Sequence, residues 1–361
     1  MNVSEDDFRA AYERNGRNAR ATADELGVPV TTLKSWPAYK AVRSPFVVVG
    51  RSTLKDADGA VKLVWEKESL DRQAEEEARQ AAFEALSATL PRMPATAGPA
   101  AANAQLATVY TLTDAHVGML AWRREGGEDW DLSIAERELV GCFAQMVHSA
   151  PDSEVGIVNQ LGDFLHFDGL EAVTPTSRHV LDSDGRFGKV VETAIRVLRR
   201  VVDMALAKHS TVHVIMAEGN HDLASSVWLR KMFKALYENE PRVTVDDTEL
   251  PFYAFEHGST MLCFHHGHLK KNDQLPLMFA TQFAAMWGRT AKRYCHTGHR
   301  HHLEEKEHSG MIVLQHPTLA ARDAYAARGG YNSLRSATAV TYHRQYGEVG
   351  RVSATPEMLA A

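Results

Sequence analysis

The sequence predicts an α/β protein preceded by a smaller unit of a different kind, and three observations carry that expectation. From Ala107 onward, short apolar runs alternate with amphipathic helical stretches, the pattern of a sheet with helices on its faces. Five of those apolar runs end in a cluster of Asp, Asn or His, as strands do when their carboxyl ends build a site. Between Pro91 and Ala102 the composition turns to Pro, Ala and Gly, which reads as a linker. The expected organisation is therefore a helical and hairpin unit over 1–68, an acidic helix and linker over 69–106, and the α/β domain over 107–361.

Global properties narrow the choice. A chain of 361 residues with 44% hydrophobic content has ample material for a core and exceeds one small domain. A formal charge of −6 argues against an indiscriminately basic, DNA-coating protein. The three cysteines, Cys142, Cys263 and Cys295, lie in or beside apolar runs without CxxC spacing and read as reduced, buried residues. No run resembles a signal peptide or approaches a membrane span, so the expectation is a soluble, cytoplasmic protein with no membrane partner.

In chain order, residues 5 to 40 read as three short helices. Phe8, Ala11 and Tyr12 stripe the first, and Ala19, Ala23 and Leu26 the second, which Gly27 stops. Thr31 is the expected N-cap of a third, with Leu33 and Trp36 facing inward and Pro37 ending it. The run from Ala21 to Leu33 resembles a helix-turn-helix, and Arg14, Arg17, Arg20, Lys34, Lys40 and Arg43 make this end locally basic, as phosphate contacts require. The competing reading is a protein-interaction module. Residues 46 to 67 read as a hairpin turning at Asp56 to Gly59, and 69 to 90 as a solvated acidic helix.

In the α/β part, Val109–Thr113 leads to Asp114 and His116, and Val155–Leu161 to Gly162 and Asp163. Val212–Ala217 leads to Gly219, Asn220, His221 and Asp222, where the glycine is expected to let the chain turn sharply. Met261–Phe264 leads to His265, His266, Gly267 and His268, and Tyr294–Thr297 to Gly298, His299 and His301. Helices are expected over 133–149, 184–209, 225–238 and 275–287, and later strands over 311–314 and 337–342. Oxygen and imidazole donors in this mixture suit manganese, iron or zinc without a thiolate. They exceed the need of one ion and fit two that share a carboxylate.

The ordered set Asp-x-His, Gly-Asp, Gly-Asn-His-Asp, His-Gly-His and Gly-His-x-His resembles the calcineurin-like metallophosphoesterase superfamily over about 107 to 345. That resemblance implies a four-layered αββα sandwich carrying two divalent cations, manganese first, with iron, zinc or nickel as alternatives. It implies Asp114, His116 and His301 on one metal, Asn220, His266 and His299 on the other, and Asp163 bridging. His221 would be the catalytic histidine and Asp222 would orient it. The implied chemistry is hydrolysis by water activated between two metals roughly 3.5–4 Å apart.

The segment from Phe164 to Gly169, followed by an insertion to about Gly185, resembles virus-encoded members that also carry an N-terminal helix-turn-helix. DNA is then the expected partner, the activity a nuclease-like phosphodiesterase, and the location the cytoplasm of a bacterial host. The alternatives are a phosphomonoesterase or phosphoprotein phosphatase with a protein-binding N-terminal module, and a non-catalytic DNA-binding scaffold. A homo-oligomer is compatible with all of them. His166 and His179 are expected at the surface or touching substrate from a mobile rim loop. Arg289, Lys292, Arg293 and Arg300 are candidates for backbone contacts.

Overall fold

The computed structural model describes residues 4–15, 18–36, 38–39, 46–55, 61–70 and 92–359. The chain divides into two compact units, Met1–Leu86 and Ser87–Ala361.

The first unit contains α1 (Glu5–Arg14), α2 (Ala19–Glu25) and α3 (Val30–Ser35). Their apolar stripes meet: Phe8, Ala23 and Leu33 are fully buried, with Tyr12 beside them and Trp36 edge-on to Phe8. Ser4 caps α1 and Asn18 caps α2 through their side chains. Gly27, at φ +65°, turns the chain between α2 and α3 in a conformation that disfavours a Cβ. The N-cap of α3 is Pro29 rather than the expected Thr31, and no side chain caps it. Proline's fixed φ starts the helix two residues earlier than hydroxyl chemistry suggested. β1 (Phe46–Lys55) and β2 (Val61–Leu70) pair antiparallel, so the hairpin extends past the expected residue 67. The turn expected at 56–59 and the acidic helix from 71 onward lie outside the described residues, and 69–70 belong to β2.

The second unit is the α/β part. A six-stranded sheet has the order β13-β12-β3-β4-β5-β6, from β3 (Asn103–Leu112), β4 (Ser153–Gln160), β5 (Thr211–Met216), β6 (Val243–Val245), β12 (Ala337–His343) and β13 (Gly347–Ala354). A five-stranded sheet has the order β10-β11-β9-β8-β7, from β7 (Tyr253–His257), β8 (Thr260–Phe264), β9 (Lys292–Thr297), β10 (Glu304–His308) and β11 (Met311–Gln315). β3 to β6 run parallel in the first sheet, as do β8, β9 and β11 in the second.

The sheets face each other across one apolar cluster. Val109, Ile157 and Ile215 come from the first, and Leu262, Phe264 and Leu314 from the second. The outer face of the six-stranded sheet is covered by α5 (Leu132–Ser149) and α6 (Phe187–Lys208), with Phe143 against Tyr110. On α6, Val190, Ala194, Val197, Leu198, Val201 and Val202 are all buried at three- and four-residue spacing. Each of its larger aliphatic side chains contributes roughly 1.5–3 kcal/mol on leaving water. The outer face of the five-stranded sheet is covered by α8 (Leu275–Gln282) and α9 (Ala284–Arg289), through Leu275, Phe279 and Trp287. The order of layers is thus helix, sheet, sheet, helix, as expected.

The helix expected over 275–287 is broken at Phe283, whose φ of −114° and ψ of 40° leave the helical region. α4 (Arg123–Gly126), α7 (Leu223–Leu236) and α10 (Ala324–Arg328) complete the helices used below. β6, β7, β10 and β13 escape sequence reading because they are edge strands, short or partly exposed and lacking a clean alternation. No helix among the described residues is long and apolar enough to cross a membrane.

Candidate metal centre

The parallel strands decide where the polar clusters go. The loops after β3, β4 and β5 leave one sheet at its carboxyl edge, and those after β8 and β9 leave the other at the matching edge. The first two loops are stitched together, with the backbone N–H of Asp114 donating to Gly162 O and that of His116 to Asp163 O. The last two are joined by Gly298 N–H donating to His266 O.

Five donors sit on backbone in the left-handed region: Asp114 (φ 51°), His116 (43°), Asp163 (48°), His299 (70°) and His301 (57°). For residues with a Cβ this costs about 1–2 kcal/mol each, and the surrounding loops must over-determine it. The strain is local to the ends of strands that turn to aim side chains inward.

Three sets of donors form, one of them of imidazoles alone: His116, His166 and His221. Asp114, His116 and His301 offer one ligand atom each within 4.8 Å of one another, and so do Asp163, His266 and His299. His301 Nε2 is 3.1 Å from Asp114 Oδ1, and His266 Nε2 is 3.1 Å from Asp163 Oδ2. The Nε2 atoms of His116 and His301 face each other at 3.3 Å. The His266 ring is steered from behind: its Nδ1–H donates to Leu161 O at 2.8 Å, which turns Nε2 toward the carboxylates. His265, one residue earlier, instead spends Nδ1 on Pro251 O and joins none of the sets.

These residues fit divalent cations. Burial opposes charge on Asp163, yet His266 and the other imidazoles hold its carboxyl well below the usual range. Burial likewise opposes charge on His266, but Asp163 and Asp114 outweigh it and push the ring up to about 10. Two buried carboxylates therefore demand positive charge between the sheets. Asn220 Oδ1 is buried with no hydrogen-bond partner among the described residues, a cost of about 1–3 kcal/mol unless something electropositive meets it. Asn220 lines the same cleft as His116, Asp163, His299 and His301.

Gly219 is needed here for space rather than for a sharp turn. Its φ is not positive, but a Cβ there would lie 2.0 Å from Asp163 Oδ1 and 2.3 Å from Asp163 N. At Gly298 a Cβ would lie 2.0 Å from Thr113 Oγ1 and 2.6 Å from Asp114 Oδ2. The glycines of Gly-Asn-His and Gly-His let one loop's backbone pass directly against another loop's carboxylate.

Asp222 departs from expectation. Its carboxylate accepts backbone N–H groups of Asp163, Phe164, Leu165 and Gly219, at 3.2, 2.7, 3.2 and 2.9 Å. It fixes the loop carrying Asp163 and does not orient the His221 ring. That ring is set by His166 O, which accepts from His221 Nδ1–H at 2.7 Å. His221 Nε2 is left for whatever enters the cleft.

Sequence reasoning also missed supporting residues. His166 was expected at the surface or touching substrate; it is buried, lines the cleft, and places Nδ1 3.2 Å from His116 Nδ1. Thr113 Oγ1–H donates to Asp114 Oδ2, and Asp168 accepts from the N–H groups of Ala224 and Ser225 at the start of α7. Asp168 was legible as an acid able to meet a helix start, but its distance in sequence hid the pairing. Of the expected cations, only Arg300 lines the cleft. Arg289 pairs with Glu256, Arg293 lies over Trp287, and Lys292 opens β9, so all three sit toward that strand's amino end, away from the site.

The cleft has a volume of about 980 Å³. Its rim includes Thr174, His179 and Val180 from the insertion, and Tyr325 and Tyr331 from the segment around α10.

No family model matches the chain, and no curated protein matches it. Solved structures do align. Yfce, a phosphoesterase from E. coli, shares 16% identity over 69% of this chain and 100% of its own, at a TM-score of 0.35. A novel archaeal phosphodiesterase shares 13% over 68% and 99%, at 0.34. Vps29 from Entamoeba histolytica in complex with zinc shares 16% over 69% and 98%, at 0.27. At such scores these are likenesses of outline only; the fold assignment rests on the sheets, layers and loops described above.

Proposed function

We propose that this chain is a calcineurin-like metallophosphoesterase that hydrolyses phosphodiesters, with DNA as its polymer substrate. The observation that carries the reading is the pair of carboxylate–imidazole sets at the shared sheet edge; His221 is in neither and groups instead with His116 and His166. Asp114, His116 and His301 would hold one divalent cation, and Asn220, His266 and His299 the other, with Asp163 common to both. Manganese is the first choice for the carboxylate and amide oxygens, with iron, zinc or nickel as alternatives that the imidazoles also suit. Bound there, the cations would neutralise the phosphoryl oxygens and acidify the attacking water.

The remaining work falls to the chain's own groups. His221 is held through Nδ1–H by His166 O, so a neutral ring carries its proton on the inner nitrogen. It must be imidazolium to hand one from Nε2 to the leaving oxygen, a step worth about 10²–10⁴-fold. Asp222 keeps the Asp163 loop in place by gathering its N–H groups. Arg300 adds an exposed guanidinium to the cleft.

In this reading the partner is DNA, bound by a helix-turn-helix in the N-terminal unit, and the protein is virus-encoded and acts in the host cytoplasm. Arg20 and Lys34 are exposed there, whereas Arg14 is engaged by Glu25 at 2.6 Å. A tethered DNA-binding unit would raise the local concentration of polynucleotide at the metals without altering them.

Hydrolysis of bis-p-nitrophenyl phosphate against p-nitrophenyl phosphate, with Mn²⁺ and after chelation, tests the reading. The diester should be preferred and the activity should vanish with the metal. Elemental analysis of the same preparation should return about two ions per chain. A sample that binds no stoichiometric metal and cleaves no diester would overturn it.

A further inference from the structure

The cleft holds one feature that phosphodiester hydrolysis alone does not use. Tyr325 and Tyr331 line it together with the donor residues, yet they are 72% and 60% exposed. Their rings lie 6.3 Å apart at an interplanar angle of 27°, a stacked pair open to solvent. Tyrosine is a large apolar body with a polar tip, and leaving two together in water at a cleft mouth forgoes burial.

The pair is held firmly. The Asp323 side chain caps α10 by accepting from Ala326 N–H at 2.8 Å, and Tyr331 N–H donates to Ala326 O. Gly329 leaves no more room than the Tyr331 ring needs, since a Cβ there would lie 2.5 Å from Tyr331 Cε2. Arg328 pairs with Glu125 of α4 at 3.2 Å, and Arg322 Nε–H donates to Gly126 O at 3.1 Å. Two exposed ring faces on a pinned backbone thus stand in a cleft that also contains the guanidinium of Arg300 and several of the candidate metal donors.

We infer that Tyr325 and Tyr331 form a stacking platform for an unpaired nucleobase next to the scissile phosphate. This rests on the phosphodiesterase reading and narrows it: the substrate is a single-stranded or frayed polynucleotide, not a continuous duplex. A base inside a duplex has both faces covered by its neighbours, so only an unstacked base can lie on a tyrosine ring. Stacking is indifferent to base identity because every base offers a π-face, so the platform selects strandedness rather than sequence.

The test compares kcat/KM for thymidine 5′-(p-nitrophenyl phosphate) with that for methyl p-nitrophenyl phosphate, using full-length, Mn²⁺-loaded protein. Both share the leaving group, so their ratio isolates the nucleoside. The wild type should favour the nucleoside ester, and Tyr325→Ala or Tyr331→Ala should lower the ratio roughly 5- to 150-fold, the worth of one base–aromatic stack. The loss should fall mainly on KM, and Tyr325→Phe should keep the wild-type ratio. A wild-type ratio near one, or a ratio untouched by both alanine variants, would overturn the platform and leave the hydrolase standing. Failure of the wild type to cleave either ester would overturn both.

Discussion

Replacing Gly219 by alanine adds one methyl group at the point where the Asn220 loop passes Asp163. The added Cβ would sit 2.0 Å from Asp163 Oδ1, 2.3 Å from Asp163 N and 2.7 Å from its Cγ. Two of those atoms cannot swing away, because the Asp163 N–H is held by Asp222 and Oδ1 accepts the backbone N–H of His221 at 2.8 Å. Restoring an ordinary contact requires a displacement of about 1 Å, which forced insertion into a packed site makes at a cost of about 1–3 kcal/mol. The backbone of Gly219 is not in the left-handed region, so the substitution tests space alone. A misplacement of that size at a reacting centre costs about 10²-fold in rate, or about 2.7 kcal/mol of transition-state stabilisation. Gly219→Ala should therefore lower kcat/KM on bis-p-nitrophenyl phosphate about a hundredfold and reduce the metal retained after gel filtration, while the far-ultraviolet circular dichroism stays native. Gly188→Ala is the control, since nothing lies within 4 Å of its Cβ in α6 and it should stabilise by about 0.5–1 kcal/mol. Wild-type turnover and wild-type metal content in Gly219→Ala would refute the close-approach argument.

Further outcomes follow from the same geometry. His221→Ala should keep both metals by elemental analysis and lose about 10²–10⁴-fold in kcat, and loss of metal instead would make His221 a ligand. Asp222→Asn should impair metal retention more than His221→Ala does, because its carboxylate gathers the N–H groups of the Asp163 loop. His209 is buried at the end of α6, where desolvation lowers its pKa to about 4 from the usual 6.5. The unfolded chain then binds more protons between those values, so stability falls as pH drops from 6.5 toward 4. From neutrality to pH 5 this amounts to about 2 kcal/mol. His209→Gln should lessen that pH dependence in urea titrations, and an unchanged slope would contradict it. Arg20→Glu with Lys34→Glu should weaken DNA binding and reduce the slope of log affinity against log salt by about two, if both contact phosphates.

Much of this protein was legible in one dimension. Strand runs such as Val212 to Ala217 and the periodic face of α6 depend on neighbours within a few residues, and the polar clusters at strand ends stood out for the same reason. Even the two carboxylate–imidazole sets follow once the strands are parallel, because each cluster must then emerge at the same edge. What the sequence could not reveal depends on atoms far apart in the chain. Asp222 stands beside His221 in sequence, yet its carboxylate bonds to backbone about 58 residues away. His166 carries no mark distinguishing a surface histidine from one packed behind His116, and Gly219 none distinguishing a turn from a tight passage. Local pattern determined which residues could meet at the shared sheet edge. Only the packed loops decided which of them hold, which steer, and which simply leave room, because those roles are set by distances of an ångström across contacts that chain order does not encode.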